Sequence, residues 1–352
     1  MERKEMNSGN SIVITGCCGT IGHALLRELA ERGYSDVIGI DNNESGLFAL
    51  EQEFRGKFLF RFGDLRDEYR MTELFQGADT VLHTAALKHV MPCEFSPAEA
   101  VKTNILGVAN VITAARRNGV KRVLFTSSDK AANPTNVMGT TKLMGERLMT
   151  AAQASPTGHP AAQEPLFFST RFGNVLGSHG SVFPLFRRQI AAGGPVTLTD
   201  PEMTRFVMST REAVSMVLDT VELARGGEVI VSKMHSLRIA DLAAVMIERL
   251  APLYGHKPED IPVKIIGPKP GEKLYEELLT EEESHRSLEL DRFFVILPAF
   301  RDYYDSSRFV YPNARPHTGG KVYHSNVQAL MTRAEIADYL ERNKLLTLEE
   351  ME

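Results

Sequence analysis

The sequence predicts an α/β protein built on a doubly wound parallel sheet, with a second, smaller lobe of mixed α/β character. Three observations predict it. Strand and helix signals alternate through the first half of the 352-residue chain. The strand segments are continuously apolar, as strands covered by helices on both faces must be. A glycine-rich loop, TGCCGTIG (15–22), joins the first strand to the first helix, where a doubly wound sheet places a phosphate-binding turn.

The elements follow in order. SIVIT (11–15) is a β-branched run. TIGHALLRELAERG (20–33) has apolar residues at Ile21, Ala24, Leu25 and Leu29, a helical spacing, and stops at Gly33. DVIGID (36–41), KFLFRF (57–62), TVLHTA (80–85) and KRVLFTS (121–127) read as further strands, with helical stretches near 45–54, 67–76 and 97–118 between them. Residues 151–165, rich in Ala, Pro and Gln, read as a surface loop. After LFFSTRFGNV (166–175) Gly and Pro become frequent and the rhythm changes; GEVIVS (227–232) returns to the sheet, and RIADLAAVMIERLAPLYG (238–255) is an amphipathic helix. These signals predict a polar lead-in at 1–10, a first domain over 11–176 plus about 213–235, and a second lobe over about 177–212 and 236–352. No internal repeat or heptad run is visible.

Composition narrows the class. Hydrophobic residues make up 43% and charged residues 24%, with a net charge of -5. That balance describes a globular protein with no basic excess to attract nucleic acid. No apolar run is long enough for a membrane span, and MERKEMNSGN lacks a signal-peptide core. The three cysteines, Cys17, Cys18 and Cys93, are odd in number and two are adjacent. A reducing cytoplasm is therefore expected, and no metal-binding pattern such as CxxC or HExxH occurs.

The glycine loop is placed to hold a dinucleotide. Gly16, Gly19 and Gly22 allow a tight turn and close approach of a pyrophosphate, while Thr20 and Ile21 open the helix whose free N–H groups face it. Asp41 ends the second strand about 20 residues on, the place of a ribose-binding acid. It would repel a 2′-phosphate, and Asn42 rather than Arg follows it, so NAD is favoured over NADP. Asp64 and Leu65 follow the third strand, where an Asp can meet the adenine amino group or simply form a turn. Ala85 and Ala86 follow the fourth strand and are small enough to let backbone approach the cofactor.

At this point the residues resemble the extended short-chain dehydrogenase/reductases that act on nucleotide sugars, a Rossmann-type family. TGCCGTIG, HTAALKHV, EAVKTNILGVANV, SSDKAANPTNVMGTTKLMGE, RFGNVLGSHGSVFPLF, DPEMTRFVMS and PGEKLYEELLTEEE resemble the branch of bacterial UDP-N-acetylglucosamine 4,6-dehydratases. The resemblance spans about residues 10–340 and matches the short, soluble form of that branch. It implies a UDP-sugar substrate, oxidation at C4, loss of water across C5–C6, and return of hydride to C6. It also implies a homo-oligomer paired through a helix bundle, one helix of which carries Met138 and Lys142.

The resemblance assigns Asp129 as general acid, Lys130 as base, Ser128 as a hydrogen-bond partner of the C4 oxygen, and Lys142 as a ligand of the nicotinamide ribose. Most relatives carry Tyr where this chain has Met138, which cannot move a proton. Met138 is either a core filler in a damaged site or the mark of a subset that runs without the tyrosine. In the second case Asp129 would take the O4 proton. For the UDP moiety the resemblance points to Asn174 and Arg205 (diphosphate), Val182 and Pro184 (uracil) and Glu272 (ribose). Lys269 stands where relatives have Arg and lacks its bidentate grip. Lys88 either reaches the sugar or a phosphate, or is a surface lysine. The rival readings are a UDP-sugar 4-epimerase, a dehydratase stopping at a 5,6-alkene, and a silent NAD-binding regulator.

Overall fold

A computed structural model gives the fold and describes residues 10–154, 164–178, 180–268, 270–300, 308–317 and 322–347. The expected lead-in, apart from Asn10, residues 155–163 of the expected loop, and Lys269 lie outside the described residues.

The strands are β1 (Ile12–Thr15), β2 (Val37–Asp41), β3 (Leu59–Phe62), β4 (Thr80–His83), β5 (Arg122–Thr126), β6 (Leu166–Arg171), β7 (Asn174–Val175), β8 (Val196–Leu198), β9 (Thr204–Met208), β10 (Val229–Ser232), β11 (His235–Arg238), β12 (Val263–Ile265), β13 (Glu277–Leu279), β14 (Ser287–Glu289), β15 (Phe293–Ile296), β16 (Arg315–Pro316) and β17 (Tyr323–His324). The helices are α1 (Thr20–Glu31), α2 (Glu44–Phe54), α3 (Glu68–Leu74), α4 (Val90–Phe95), α5 (Pro97–Val101), α6 (Gly107–Arg117), α7 (Val137–Ala154), α8 (Val182–Ala191), α9 (Thr210–Leu223), α10 (Ile239–Leu250), α11 (Glu281–Ser284) and α12 (Arg333–Arg342). Among the described residues no helix is long and apolar enough to cross a membrane.

The chain divides into two compact units: Met1–Phe172 with Val214–Lys233 and Thr280–Lys321, and Gly173–Ala213 with Met234–Leu279 and Val322–Glu352. The first holds a sheet in the order β16-β14-β15-β10-β6-β5-β4-β1-β2-β3. The strands from β10 to β3 pair in parallel, whereas β15, β14 and β16 are added antiparallel. β4 is buried along its whole length, while β3, an end strand, exposes Leu59 and Phe62. The predicted parallel sheet is therefore present in full.

One boundary differs from expectation. The sequence reading put all of 236–352 in the second lobe, yet Thr280–Lys321 belongs to the first unit. The cause is the apolar run FFVI at β15, which pairs antiparallel with β10 and covers what would otherwise be an open sheet edge. A returning edge strand of four residues leaves no βαβ rhythm in the sequence.

The first unit's core joins Val13, Ile40, Val81, Val123 and Phe125 of the sheet to Val108 and Val111 of α6. The expected helical stretch over 97–118 is present as one continuous run: α5 begins at Pro97, and a π-helical turn, Lys102–Leu106, joins it to α6. The second unit's core gathers residues of α8, α10 and α12, including Phe186, Met246 and Leu340. It also contains the sheet β11-β9-β7 and the pairs β12-β8 and β13-β17.

Candidate active site

In a parallel sheet every strand ends at the same edge, so the segments after β1, β2, β3, β4 and β5 are brought together there. These segments hold the glycine loop, Asp41, Asp64, Ala85–Ala86 and 127–130, the stretches singled out in the sequence.

The glycine loop is tight for stated steric reasons. Gly16 has φ +75°, and a Cβ there would lie 2.6 Å from the Ala85 backbone; a Cβ at Gly22 would lie 2.3 Å from the Gly16 carbonyl oxygen. No side chain caps the N-terminus of α1 at Gly19, so its positive end faces outward as an anion site. Asp41 accepts hydrogen bonds from the backbone N–H groups of Cys18 (3.0 Å) and Asn43 (3.0 Å). A carboxylate has about four acceptor positions, so capacity remains for two ribose hydroxyls. Cys17 is buried behind the loop, and its thiol is pushed far up by its hydrogen bond to Cys18, which favours the protonated form, and by burial.

Asp64, expected to meet the adenine amino group or simply form a turn, does form a turn: its carbonyl accepts from Asp67 N–H at 3.0 Å and its Oδ1 from Arg66 N–H at 2.9 Å. Both its oxygens are gripped by Arg66, at 2.9 and 2.6 Å, and Asn42 approaches at 3.4 Å. The Arg66 guanidinium holds Asp64 at about 2. Arg66 also reaches Glu99 at 3.1 Å. Asp64 acts first as the anchor of this arginine.

Ser128, Asp129 and Lys130 form one compact group at the end of β5. The Ser128 hydroxyl donates to Asp129 Oδ1 at 2.6 Å, and Lys130 Nζ donates to the same oxygen at 3.0 Å. Asp129 is 1% exposed, and its other oxygen, Oδ2, is buried without a hydrogen-bond partner. A carboxylate ordered through one oxygen, with the second bare, can receive a proton and give it back. The Asp129 backbone N–H, held by the Phe172 carbonyl at 3.0 Å, fixes the group to the residue that follows β6.

α7 presents Met138, Lys142 and Glu146 at successive turns of one face. Met138 is buried with Cys93 and Ala100, against Val90 and Val137. It is a packing residue of an apolar cluster, which fits the core-filler half of the first reading and is compatible with both a damaged site and one that runs without the tyrosine. Lys142 is buried; it donates to the Thr126 carbonyl at 2.9 Å, and its ammonium lies 4.7 Å from the centroid of the Phe125 ring. Burial lowers it to about 8, against the opposing pull of Glu146.

Three features went unread in the sequence. Arg171, fully buried, pairs with Glu146 (2.6 Å) and Glu283 (2.8 Å) and so ties α7, β6 and α11 together. Burial pushes Glu283 up, but the Arg171 charge outweighs it and holds the carboxyl at about 2. An arginine ending the apolar run LFFSTR was the available signal. Asn104, in the π-helical turn, accepts from Leu87 N–H (2.8 Å), donates to Leu87 O (2.9 Å) and to Thr141 Oγ1 (2.9 Å), pinning the loop after β4 to α7. His83 on β4 bonds Thr15 Oγ1 at 2.7 Å through Nδ1; burial and then the Lys142 charge lower it to about 3, so it stays neutral. Lys88 is exposed on the loop after β4.

The residues expected to hold the UDP moiety fall in the second unit. Asn174 begins β7, Val182 opens α8, and Pro184 lies in its first turn. Arg205 on β9 is buried, and its guanidinium donates to the carbonyls of Thr204 and Lys273, both at 2.8 Å, with Glu276 at 3.5 Å and Glu272 at 3.8 Å.

A family model described as "Polysaccharide biosynthesis protein" matches residues 12–298. The chain is 47% identical over 302 residues to the "Uncharacterized membrane protein MJ1061" of Methanocaldococcus jannaschii, covering 86% of this chain and 90% of that one. It is 38% identical over 299 residues to a UDP-N-acetylglucosamine 4,6-dehydratase (inverting) of Campylobacter jejuni, covering 84% and 85%. The X-ray structure of Pen from Bacillus thuringiensis matches the fold with a TM-score of 0.87 at 38% identity, over 97% of this chain and 100% of that one.

Proposed function

The chain belongs to the polysaccharide biosynthesis protein family, within the extended short-chain dehydrogenase/reductases that act on nucleotide sugars, and we propose that it is an NAD-dependent UDP-N-acetylglucosamine 4,6-dehydratase. One observation carries the reading: Lys130 Nζ and the Ser128 hydroxyl both donate to Asp129 Oδ1 while Asp129 Oδ2 is left bare, and the position of the usual tyrosine is an apolar filler. An epimerase needs a single proton acceptor at O4. An elimination needs a base at C5 and an acid at O6 as well, and the adjacent doublet supplies both.

The glycine loop, the uncapped end of α1 and Asp41 suit a dinucleotide pyrophosphate and its ribose, and NAD, when bound, supplies reversible hydride transfer. Asp129 accepts the O4 proton, on Oδ2 directly or on Oδ1 through Ser128. The proton it has gained is then given to the departing C6 hydroxyl. Lys130, in its neutral form, removes the C5 proton made acidic by the 4-ketone, and the resulting ammonium, exchanged with solvent, returns a proton to C5 when C6 is reduced. Lys142 holds the nicotinamide ribose and keeps a positive charge under the site. In the second unit Asn174, Arg205, Val182, Pro184 and Glu272 hold the UDP moiety; Arg205 reaches a phosphate by exchanging carbonyl partners for it. Lys269 adds a single point charge.

Incubating the purified protein with UDP-N-acetylglucosamine in D₂O and following products by NMR tests the proposal. A 4-keto-6-deoxy product with solvent deuterium at C5 is expected. UDP-N-acetylgalactosamine, a 5,6-alkene, or no turnover would overturn it in favour of one of the rival readings.

A further inference from the structure

The sequence shows no metal-binding spacing, yet the fold brings three ligand-bearing side chains together at the glycine loop. Cys17 Sγ, Cys18 Sγ and an oxygen of Asp41 all lie within 4.8 Å of one another. Cys17 is buried and Cys18 half-buried, so the cluster has one wet side. Each sulfur packs against a position without a side chain: a Cβ at Gly39 would meet Cys17 Sγ at 3.0 Å, and one at Gly46 would meet Cys18 Sγ at 2.8 Å. The third ligand is 23 residues from Cys18 in sequence and is held beside it by the Cys18 N–H bond.

We propose that Cys17, Cys18 and Asp41 form a capture site for a thiophilic divalent cation of the zinc and cadmium class, and that the bound cation excludes the dinucleotide. Two sulfurs and a carboxylate oxygen are donors of the type such ions take, with the fourth position open to water. In tetrahedral geometry the donors stand roughly 3.5 Å apart, so closure asks each separation to shrink by about 1.3 Å at most, within reach of side-chain rotation. Binding of the cation removes Asp41 from the ribose and places positive charge and a water at the mouth of the loop. The exclusion rests on the dinucleotide reading of that loop; the cation site does not.

The probe is Cd²⁺ alone, titrated into the purified chain in a phosphine reductant, with the ultraviolet thiolate-to-cadmium absorption as readout. One ion per chain is expected, with affinity lowered at least about tenfold in Cys18→Ser and in Asp41→Asn. Cys93→Ser, which changes the third cysteine, is expected to bind as wild type does. Titrations repeated with rising NAD are expected to show the apparent Kd for Cd²⁺ rising in proportion. An absorption that persists unchanged in Cys18→Ser overturns the site. Cadmium binding indifferent to saturating NAD overturns the exclusion. NAD binding is measured separately without metal, so its absence refutes the dinucleotide reading, and the exclusion with it, while the Cys18→Ser comparison still decides the cation site.

Discussion

Replacing Lys142 with Met isolates the cost of burying an ammonium under the site. Lys142 is 6% exposed, between the Phe125 ring and the Thr126 carbonyl, and burial lowers it from its ordinary 10.5 to about 8. At about 1.4 kcal/mol per pH unit, that difference amounts to about 3 kcal/mol in favour of the neutral amine in the folded chain. Between the two values the unfolded chain holds more protons than the folded one, so stability rises with pH through that window. Below about pH 8 the penalty is fully present; above about pH 10.5 both states are neutral and it is gone. Methionine has similar length and no charge, so the variant lacks this dependence. The stability of Lys142→Met relative to wild type is therefore expected to fall by about 3 kcal/mol from about pH 7 to beyond pH 10.5. Urea denaturation of both nucleotide-free chains across that range measures it. Because the result is a slope, changes in packing that do not titrate leave it intact. A difference that stays flat, or that rises with pH, would refute the burial argument. The same variant is expected to lose turnover, through the role proposed for Lys142 on the nicotinamide ribose.

Asp129→Asn is expected to lower turnover by about 100- to 10,000-fold; single-turnover absorbance reports C4 oxidation and NMR reports water loss, and either rate left unchanged removes that half of the role. Met138→Leu keeps volume and apolarity, so turnover is expected to survive and stability to change by less than about 1.5 kcal/mol; loss of turnover in a folded variant would give Met138 a part in the chemistry. Arg171→Met leaves Glu146 and Glu283 buried without their partner and is expected to cost about 3–5 kcal/mol in denaturation experiments. Adding Glu146→Gln and Glu283→Gln to that variant should restore much of the loss, and failure to do so would mean that packing rather than charge holds these elements together.

The sequence by itself determined what depends on neighbours along the chain. Apolar runs fixed the parallel strands, because a strand buried on both faces must be apolar throughout. The glycine loop was legible because its steric demand is local to one turn. Ser128, Asp129 and Lys130 were legible because adjacent residues at a strand end must share a place. Only the tertiary structure decided which distant groups meet. It placed Glu283, 112 residues on, against Arg171, and set Asn104 between Leu87 and Thr141. It returned β15 to the sheet and brought Asp41 to the two cysteines. The reason is physical: periodicity reports whether a side chain is buried, but a buried charge or amide is satisfied by whatever the fold carries to it, and that partner leaves no mark at any fixed spacing.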